Sequence, residues 1–328
     1  MGERTRVRAV PAAARGDGCD RGSAAARRAR PGDRADLRGD ESAALLADLR
    51  RALLGRFGTS DEQRLDMSLR RARLVVPVRF HVVHSGSRGR VSGAVVRRQV
   101  ATLNAAYGGR RGGADTGVRF RLAGADWTNA SDWFNDPQEY ESPMKKRLRR
   151  GGRGTLNVYT AAVGTDVLGF STFPQWYRKH PRLDGVVIDY RALPKNAGGP
   201  FDRGYTAVHE IGHWLGLLHT FQGGCNPPGD GVADTPYEAD PAEGCPTYRD
   251  TCPQRGRDPV HNFMDYGHDT CMREFTAGQG RRIRAAWAVY RAGRRGHRHA
   301  DPAARRADRG VDLGTRAPGA ARSVGGSR

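Results

Sequence analysis

The chain has 328 residues and a formal charge of +20, from 55 Lys and Arg against 35 Asp and Glu. That length can bury the core of one ordinary domain with appendages, or of two small ones, and no stretch is long and apolar enough for a membrane-spanning helix. The charge invites a nucleic-acid reading, but residues 1–40 (ten Arg, six acids) and 293–328 (nine Arg, three Asp) carry half of the excess, and the middle lacks Arg and aromatic interleaving, so no nucleic-acid partner is expected.

In chain order, residues 1–40 are rich in Arg, Ala, Gly, Asp and Pro, hold the isolated Cys19, and read as disordered or cleavable. Leucines 45, 46, 49 and 53 predict an amphipathic helix over residues 41–55, and residues 1–70 are read as a disordered or propeptide-like region. The folded part is expected from about Leu74, where Val76, Val78, Phe80 and Val82 alternate as in a strand. Ser92 fits a helix N-cap, and Val96, Val100, Leu103 and Tyr107 follow at helical spacing. Val118, Phe120 and Leu122 give a second strand, Leu156 and Val158 a third, residues 167–172 a fourth and 185–190 a fifth. A helix bearing His209 and His213 comes next. After Gly216 the chain is loop-rich until Thr276-Ala277-Gly278-Gln279, a capping box that opens a closing helix with Ile283, Trp287 and Tyr290 on roughly one face. The order predicts an α/β (α+β) fold with a mixed sheet over residues 71–292 and a basic, disordered tail at 293–328.

His209-Glu210-Ile211-Gly212-His213-Trp214-Leu215-Gly216-Leu217-Leu218-His219 carries the chemistry. Four residues apart on a helix, His209 and His213 share a face and can offer both imidazoles to one metal ion. Glu210 lies beside that face, placed to take a proton from the attacking water rather than to bind metal. Continued helix would carry His219 away, so the helix must stop, and Gly216 can adopt the left-handed conformation that turns the chain back. Three neutral histidines with one open position are the ligand set of a catalytic zinc. Residues 71–292 are therefore expected to be a zinc peptidase domain acting on peptides or proteins. The alternative class is a non-catalytic, zinc-stabilised binding module, against which the intact Glu210 argues.

Cys225, Cys245, Cys252 and Cys271 fall in the loop-rich half, where four cysteines allow three disulfide pairings. Zinc ligation is the competing reading, weakened by the lack of a CxxC pair. Disulfides imply an oxidising compartment, so secretion is expected, although residues 1–30 contain no apolar stretch of signal-peptide length. Gly229-Asp230-Gly231-Val232-Ala233-Asp234-Thr235-Pro236 offers carboxylate and carbonyl oxygens in a tight loop, making Asp230, Asp234 and Thr235 calcium candidates; the alternative is a metal-free Asp/Gly turn.

The histidine motif, with GDGVADTP, GCP, DTC, NFMDY and CMREFTAGQ after it, resembles the pappalysin-like metzincin metalloproteases, the ulilysin branch. The likeness is specific from about Tyr205 to Gln279 and extends more weakly back to about Leu74. It implies a twisted metzincin sheet with an active-site helix, above a loop-rich, disulfide-stapled lower subdomain and a C-terminal helix. It also implies pairing of Cys225 with Cys252 and Cys245 with Cys271, Met264 as an apolar floor beneath the histidines, Tyr266 as a partner for the oxyanion, and structural calcium near Asp230. Val167-Leu168-Gly169-Phe170-Ser171 resembles the edge strand along which substrates lie. Asp269, two residues before Cys271, matches the aspartate that selects Arg or Lys just after the cut, the alternative being a surface carboxylate paired with Arg273. Cys19 is a candidate zymogen switch of a kind known among metzincins, the alternative being a cysteine without function.

Overall fold

A computed structural model describes residues 35–69, 73–164, 167–195 and 199–293. Along the chain run α1 (Gly39–Phe57), α2 (Glu62–Leu69), β1 (Leu74–His84), α3 (Gly93–Tyr107), β2 (Val118–Asn129), α4 (Ser131–Asn135), α5 (Glu141–Leu148), β3 (Leu156–Ala161), β4 (Gly169–Ser171), β5 (Val186–Asp189), α6 (Tyr205–Trp214) and α7 (Ala277–Ala286). Cys19, the residue 1–30 region and the tail beyond Gly293 lie outside the described residues.

The alternating residues Val76, Val78, Phe80 and Val82 are all fully buried, and they make β1 the axis of a five-stranded mixed sheet. The order is β2-β1-β3-β5-β4; the first four strands run parallel and β4 closes one edge antiparallel to β5, with Phe170 opposite Val187. Being last in the order, β4 has one backbone edge not paired within the sheet.

Each face of the sheet carries helices because each carries buried apolar residues. On one face Ser92 caps α3 by accepting the Val95 N–H, and Val96, Val100, Leu103 and Tyr107 join the main core with Val208, Ile211 and Trp214 of α6. On the other, Phe134 of α4 with Met144 and Leu148 of α5 covers Val83, Tyr159, Phe170 and Val187. Neither α4 nor α5 was expected from sequence. One is a single short turn, and the other carries Pro143 among charged residues, so packing rather than propensity decides both.

Beyond Trp214 the chain is loop-rich, and two disulfides, Cys225 with Cys252 and Cys245 with Cys271, interleave along it. The capping box at Thr276 and Gln279 opens α7, which runs on into a single π-helical stretch, Trp287–Arg291. That stretch delivers Arg291 to the C-terminal end of α6. The Arg291 guanidinium lies 3.5 Å from the Trp214 ring centroid and donates to the Trp214 carbonyl at 2.9 Å and to both Asp184 oxygens at 3.1 and 3.2 Å. Trp214 Nε1 donates to the same carboxylate at 3.1 Å, and Arg291 and Asp184 are each 1% exposed. Burial pulls the Arg291 pKa below its ordinary value, with Asp184 opposing the shift. Removing one partner of a buried pair strands the other charge. Arg291→Ala is expected to cost about 3–5 kcal/mol in urea unfolding, well above the cost of a surface Arg replacement.

Candidate active site

Helix α6 is positioned before its side chains are. Gly204, at φ +82°, turns the chain into it, and the Gly204 carbonyl accepts from Gln99 Nε2 at 3.0 Å. The Tyr107 hydroxyl donates to the Val208 carbonyl at 2.9 Å, tying α6 to α3 one residue before the first histidine. The helix ends at Trp214, and Gly216, at φ +102°, reverses the chain while Leu217 N–H donates back to the Gly212 carbonyl at 2.9 Å. A β-carbon at Gly216 would sit 2.9 Å from that of Ala286, so the turn also needs glycine for space.

The reversal brings His219 beside His209 and His213, and the three Nε2 atoms lie 3.1 Å apart pairwise. His209 Nδ1 donates to the Phe263 carbonyl and His213 Nδ1 to the Leu217 carbonyl, each at 2.8 Å. A ring that donates from Nδ1 keeps its lone pair on Nε2, so the converging nitrogens suit an ion better than one another. A tetrahedral zinc at about 2.0–2.1 Å sets its ligand nitrogens about 3.3–3.4 Å apart, close to the spacing found. All three rings are buried, and theirs is the one grouping of three or more His, Cys, Asp or Glu with metal-ligand spacing among the described residues.

Met264 packs against the helix that bears His209 and His213. A β-carbon at Gly212 would overlap its sulfur, so the helix must present a glycine there. The loop bearing Met264 is fixed from two sides: its carbonyl accepts from Thr220 N–H at 3.2 Å, and Asn262 exchanges paired amide hydrogen bonds with Gln279 at 3.0 and 2.9 Å. Gln279 is also the reciprocal member of the α7 capping box, so one side chain couples that helix start to the loop bearing Met264.

Glu210 is 3% exposed and packs against Gly169 of the edge strand, where a β-carbon would lie 2.8 Å from its Cγ. The sequence places Gly169 in the edge strand, but nothing local signals that a carboxylate fills the space of its missing side chain. The Tyr266 ring lies 4.9 Å from His219 and 5.6 Å from His209 between centroids, with its hydroxyl donating to Asp36 at 2.8 Å. Asp36 is a residue that sequence reading missed.

Asp269 is 1% exposed, and one oxygen accepts the Arg203 and Tyr205 N–H groups at 2.7 and 3.4 Å. Burial pushes its pKa up to about 6. Its other oxygen has no hydrogen-bond partner among the described residues. The loop carboxylates divide. Asp234 caps α7, accepting from the Thr276 hydroxyl at 2.8 Å and Gly278 N–H at 2.7 Å, whereas Asp230 is buried, accepts Val232 N–H at 2.8 Å, and is pushed by burial to about 7. Thr235 lies at the edge of burial and interacts with Asp230.

A profile of the peptidase family described as pregnancy-associated plasma protein-A matches residues 157–288. An extracellular metalloprotease of Neurospora crassa is 45% identical over 233 residues, 67% of this chain and 77% of that protein. One from Arthroderma benhamiae is 38% identical over 231 residues, 68% of this chain and 75% of that protein. Among solved structures, mature mirolysin of Tannerella forsythia in complex with a cleaved peptide aligns at 31% identity and TM-score 0.59, covering 65% of this chain and 91% of its own. A promirolysin mutant aligns at 27% identity and TM-score 0.60, covering 75% and 92%.

The contact between Gly212 and Met264 makes a direct prediction. Gly212→Ala is expected to destabilise the protein by about 1–3 kcal/mol in urea unfolding despite alanine's better helix propensity, and Met264→Ala in the same chain to recover part of the loss by vacating the space.

Proposed function

Since the chain belongs to the pregnancy-associated plasma protein-A (pappalysin) family of metzincins and is a zinc metalloendopeptidase, we propose that His209, His213 and His219 hold the zinc and that Glu210 is the general base of peptide-bond hydrolysis. The convergence of the three Nε2 atoms carries this reading. Zinc on those nitrogens supplies a Lewis acid that makes water a nucleophile near neutral pH and polarises the scissile carbonyl. Glu210 accepts the proton of the attacking water and returns it to the leaving amine. The Tyr266 hydroxyl donates to the oxygen that becomes negative. Substrate runs extended along the unpaired edge of β4, held by main-chain hydrogen bonds. Met264 and Gly216 shape the site without touching substrate.

Residues 71–292 carry this activity, preceded by a propeptide-like region at 1–70 and followed by a basic tail at 293–328. Secretion belongs to the same proposal, because the relatives are named extracellular metalloproteases and the disulfides suit an oxidising compartment. Among the described residues no helix is long and apolar enough to cross a membrane.

Asp269 selects Arg or Lys immediately after the cut. Its support is a buried carboxylate with one oxygen unpartnered among the described residues, to which a substrate cation would bring an opposite charge. Asp230, Asp234 and Thr235 are the calcium candidates: a cation would stabilise the Asp230 carboxylate, which burial pushes towards neutrality, and Asp234 also caps α7.

Four measurements test these assignments. Glu210→Ala is expected to lower kcat on a peptide library by about 10²–10⁴-fold with zinc stoichiometry unchanged; full activity in that variant would reject the base, and zinc binding without proteolysis in the native chain would favour a binding module. Asp269→Asn is expected to cut the kcat/KM preference for Arg over Ala after the scissile bond by at least about 30-fold. The native preference should itself fade as pH falls through about 6, where the carboxylate takes up a proton and loses its charge. Calcium-selective chelation is expected to lower the melting temperature with zinc still bound; an unchanged melting temperature would remove the Asp230 site.

A further inference from the structure

Two basic stretches separated in sequence meet on one surface. Lys145-Lys146-Arg147-Leu148-Arg149-Arg150-Gly151-Gly152-Arg153 runs off the end of α5, and Trp176-Tyr177-Arg178-Lys179-His180-Pro181-Arg182 follows the edge strand β4. Lys145 Nζ donates to the Leu183 and Gly185 carbonyls at 2.9 and 3.2 Å, and the Arg149 guanidinium lies 5.6 Å from the Tyr177 ring centroid, so the two are packed together. The Arg153 carbonyl accepts from buried Arg291 at 3.0 Å, which fixes the end of the first stretch. Between this surface and α1 opens a groove of about 1100 Å³ whose lining includes Arg51, Arg153, Trp176, Arg178, Lys179 and His180. Asp48 is the one carboxylate in that lining among the described residues, and it is already engaged by Arg51 at 3.3 Å and by the Tyr290 hydroxyl at 2.8 Å. Among the described residues Arg153, Arg178 and Lys179 form no ion pair.

The groove lies beyond one end of the cleft. Strand β4 and helix α6 run side by side in the same direction: a β-carbon at Gly169 would touch Glu210, and one at Gly216, past the end of α6, would stand 3.5 Å from Pro174, past the end of β4. Trp176 packs edge-on to Phe173 with centroids 5.2 Å apart, and Phe173 packs likewise on His213 at 5.4 Å, so the aromatic wall of the groove is two ring contacts from the His213 imidazole. Asp269 sits at the opposite end of α6, where it accepts the Arg203 and Tyr205 N–H groups. A peptide whose residue after the cut reaches Asp269 therefore sends the residues before the cut towards the groove.

We propose that this groove is a second, charge-selective contact for the protein substrate and that it takes an acidic stretch about four to seven residues before the cut, a reach set by about 3.3 Å of extended chain per residue. This rests on the zinc endopeptidase reading of the site and on Asp269 as the pocket for the residue after the cut. Substrate carboxylates meet guanidinium and ammonium groups that have no ion-pair partner among the described residues, and Trp176 gives the chain that bears them an apolar wall. Such a contact raises the encounter rate and aligns the chain before it enters the cleft, so it acts on kcat/KM and weakens as salt rises.

The test uses the full zinc-loaded chain and peptides that share one cleavage site, with Glu or with Ala at the positions about four to seven before the cut. Fluorescence anisotropy reads affinity and turnover reads kcat/KM. The Glu peptide is expected to be favoured at least about tenfold in both at low salt, with the advantage shrinking as salt is added. Arg178→Glu with Lys179→Glu, both exposed, is expected to abolish the advantage, and Arg153→Ala to reduce it and to serve if the double variant loses its circular dichroism. Arg97→Glu with Arg98→Glu on α3, outside the groove, makes the same change in net charge and is expected to keep the advantage. Equal loss in the two double variants overturns the proposal, and so does an equal gain from a peptide with its Glu residues moved after the cut. Heparin or single-stranded DNA that binds the native chain and is released by Arg178→Glu with Lys179→Glu, with no difference between the peptides, overturns it in favour of a polyanion site. A binding preference for the Glu peptide that the groove variant abolishes, with no peptide cleaved by any form, upholds the groove and rejects the endopeptidase reading. Cleavage of the Glu and Ala peptides at equal kcat/KM rejects the groove and leaves that reading standing.

Discussion

Three imidazole nitrogens within 3.1 Å of one another are the constraint around which the rest of this protein is arranged. Two can come from consecutive turns of one helix, and the third cannot. Bringing His219 back within six residues of His213 requires the helix to end, the chain to reverse at a positive φ, and the reversed strand to be held. Each requirement recruits other residues. Gly216 supplies the reversal, Ala286 crowds the space where a side chain would have been, and the Phe263 and Leu217 carbonyls orient two of the rings. Lone pairs concentrated in a buried space repel one another without a cation, so the site's geometry is itself an argument for its chemistry.

The support extends outward as a polar scaffold inside an apolar core. Arg291, Asp184 and Trp214 clamp the end of α6, and Asn262 with Gln279 clamps the methionine loop to the start of α7. Both clamps draw on the C-terminal helical stretch, although no residue of that stretch is near the three histidines in sequence. The sheet contributes differently. It presents β4 as a free edge and, through Gly169, gives the Glu210 side chain room to lie against that edge. In the proposed mechanism, contact between Glu210 and the β4 edge would place the proton acceptor beside the scissile bond rather than merely near it.

Local pattern made much of this legible. Ser92 and Thr276 announced their helices through capping chemistry, the alternating valines of β1 announced a strand, and the spacing from His209 to His219 announced both the helix and its end. What stayed hidden depends on partners distant in sequence. Asp36 meets Tyr266 across 230 positions, Asp184 meets Arg291 across 107, and nothing around either acid distinguishes it from a surface carboxylate. The loop composition around Asp234 makes it a calcium candidate but gives no sign that its carboxylate also caps a helix that begins 43 residues later. Helices α2, α4 and α5 escaped because short segments form by packing rather than by their own periodicity.

The two disulfides have a property that depends only on their order along the chain. Cys245 lies inside the loop closed by Cys225 and Cys252, and Cys252 inside the loop closed by Cys245 and Cys271. Any single backbone break between Cys225 and Cys271 therefore leaves its two fragments joined by at least one covalent bridge. A peptidase working at high concentration among its own copies is exposed to nicking in its loop-rich half. This interlocked order lets a nicked molecule keep its pieces together, so the region with the least regular structure is also the one best able to survive being cut.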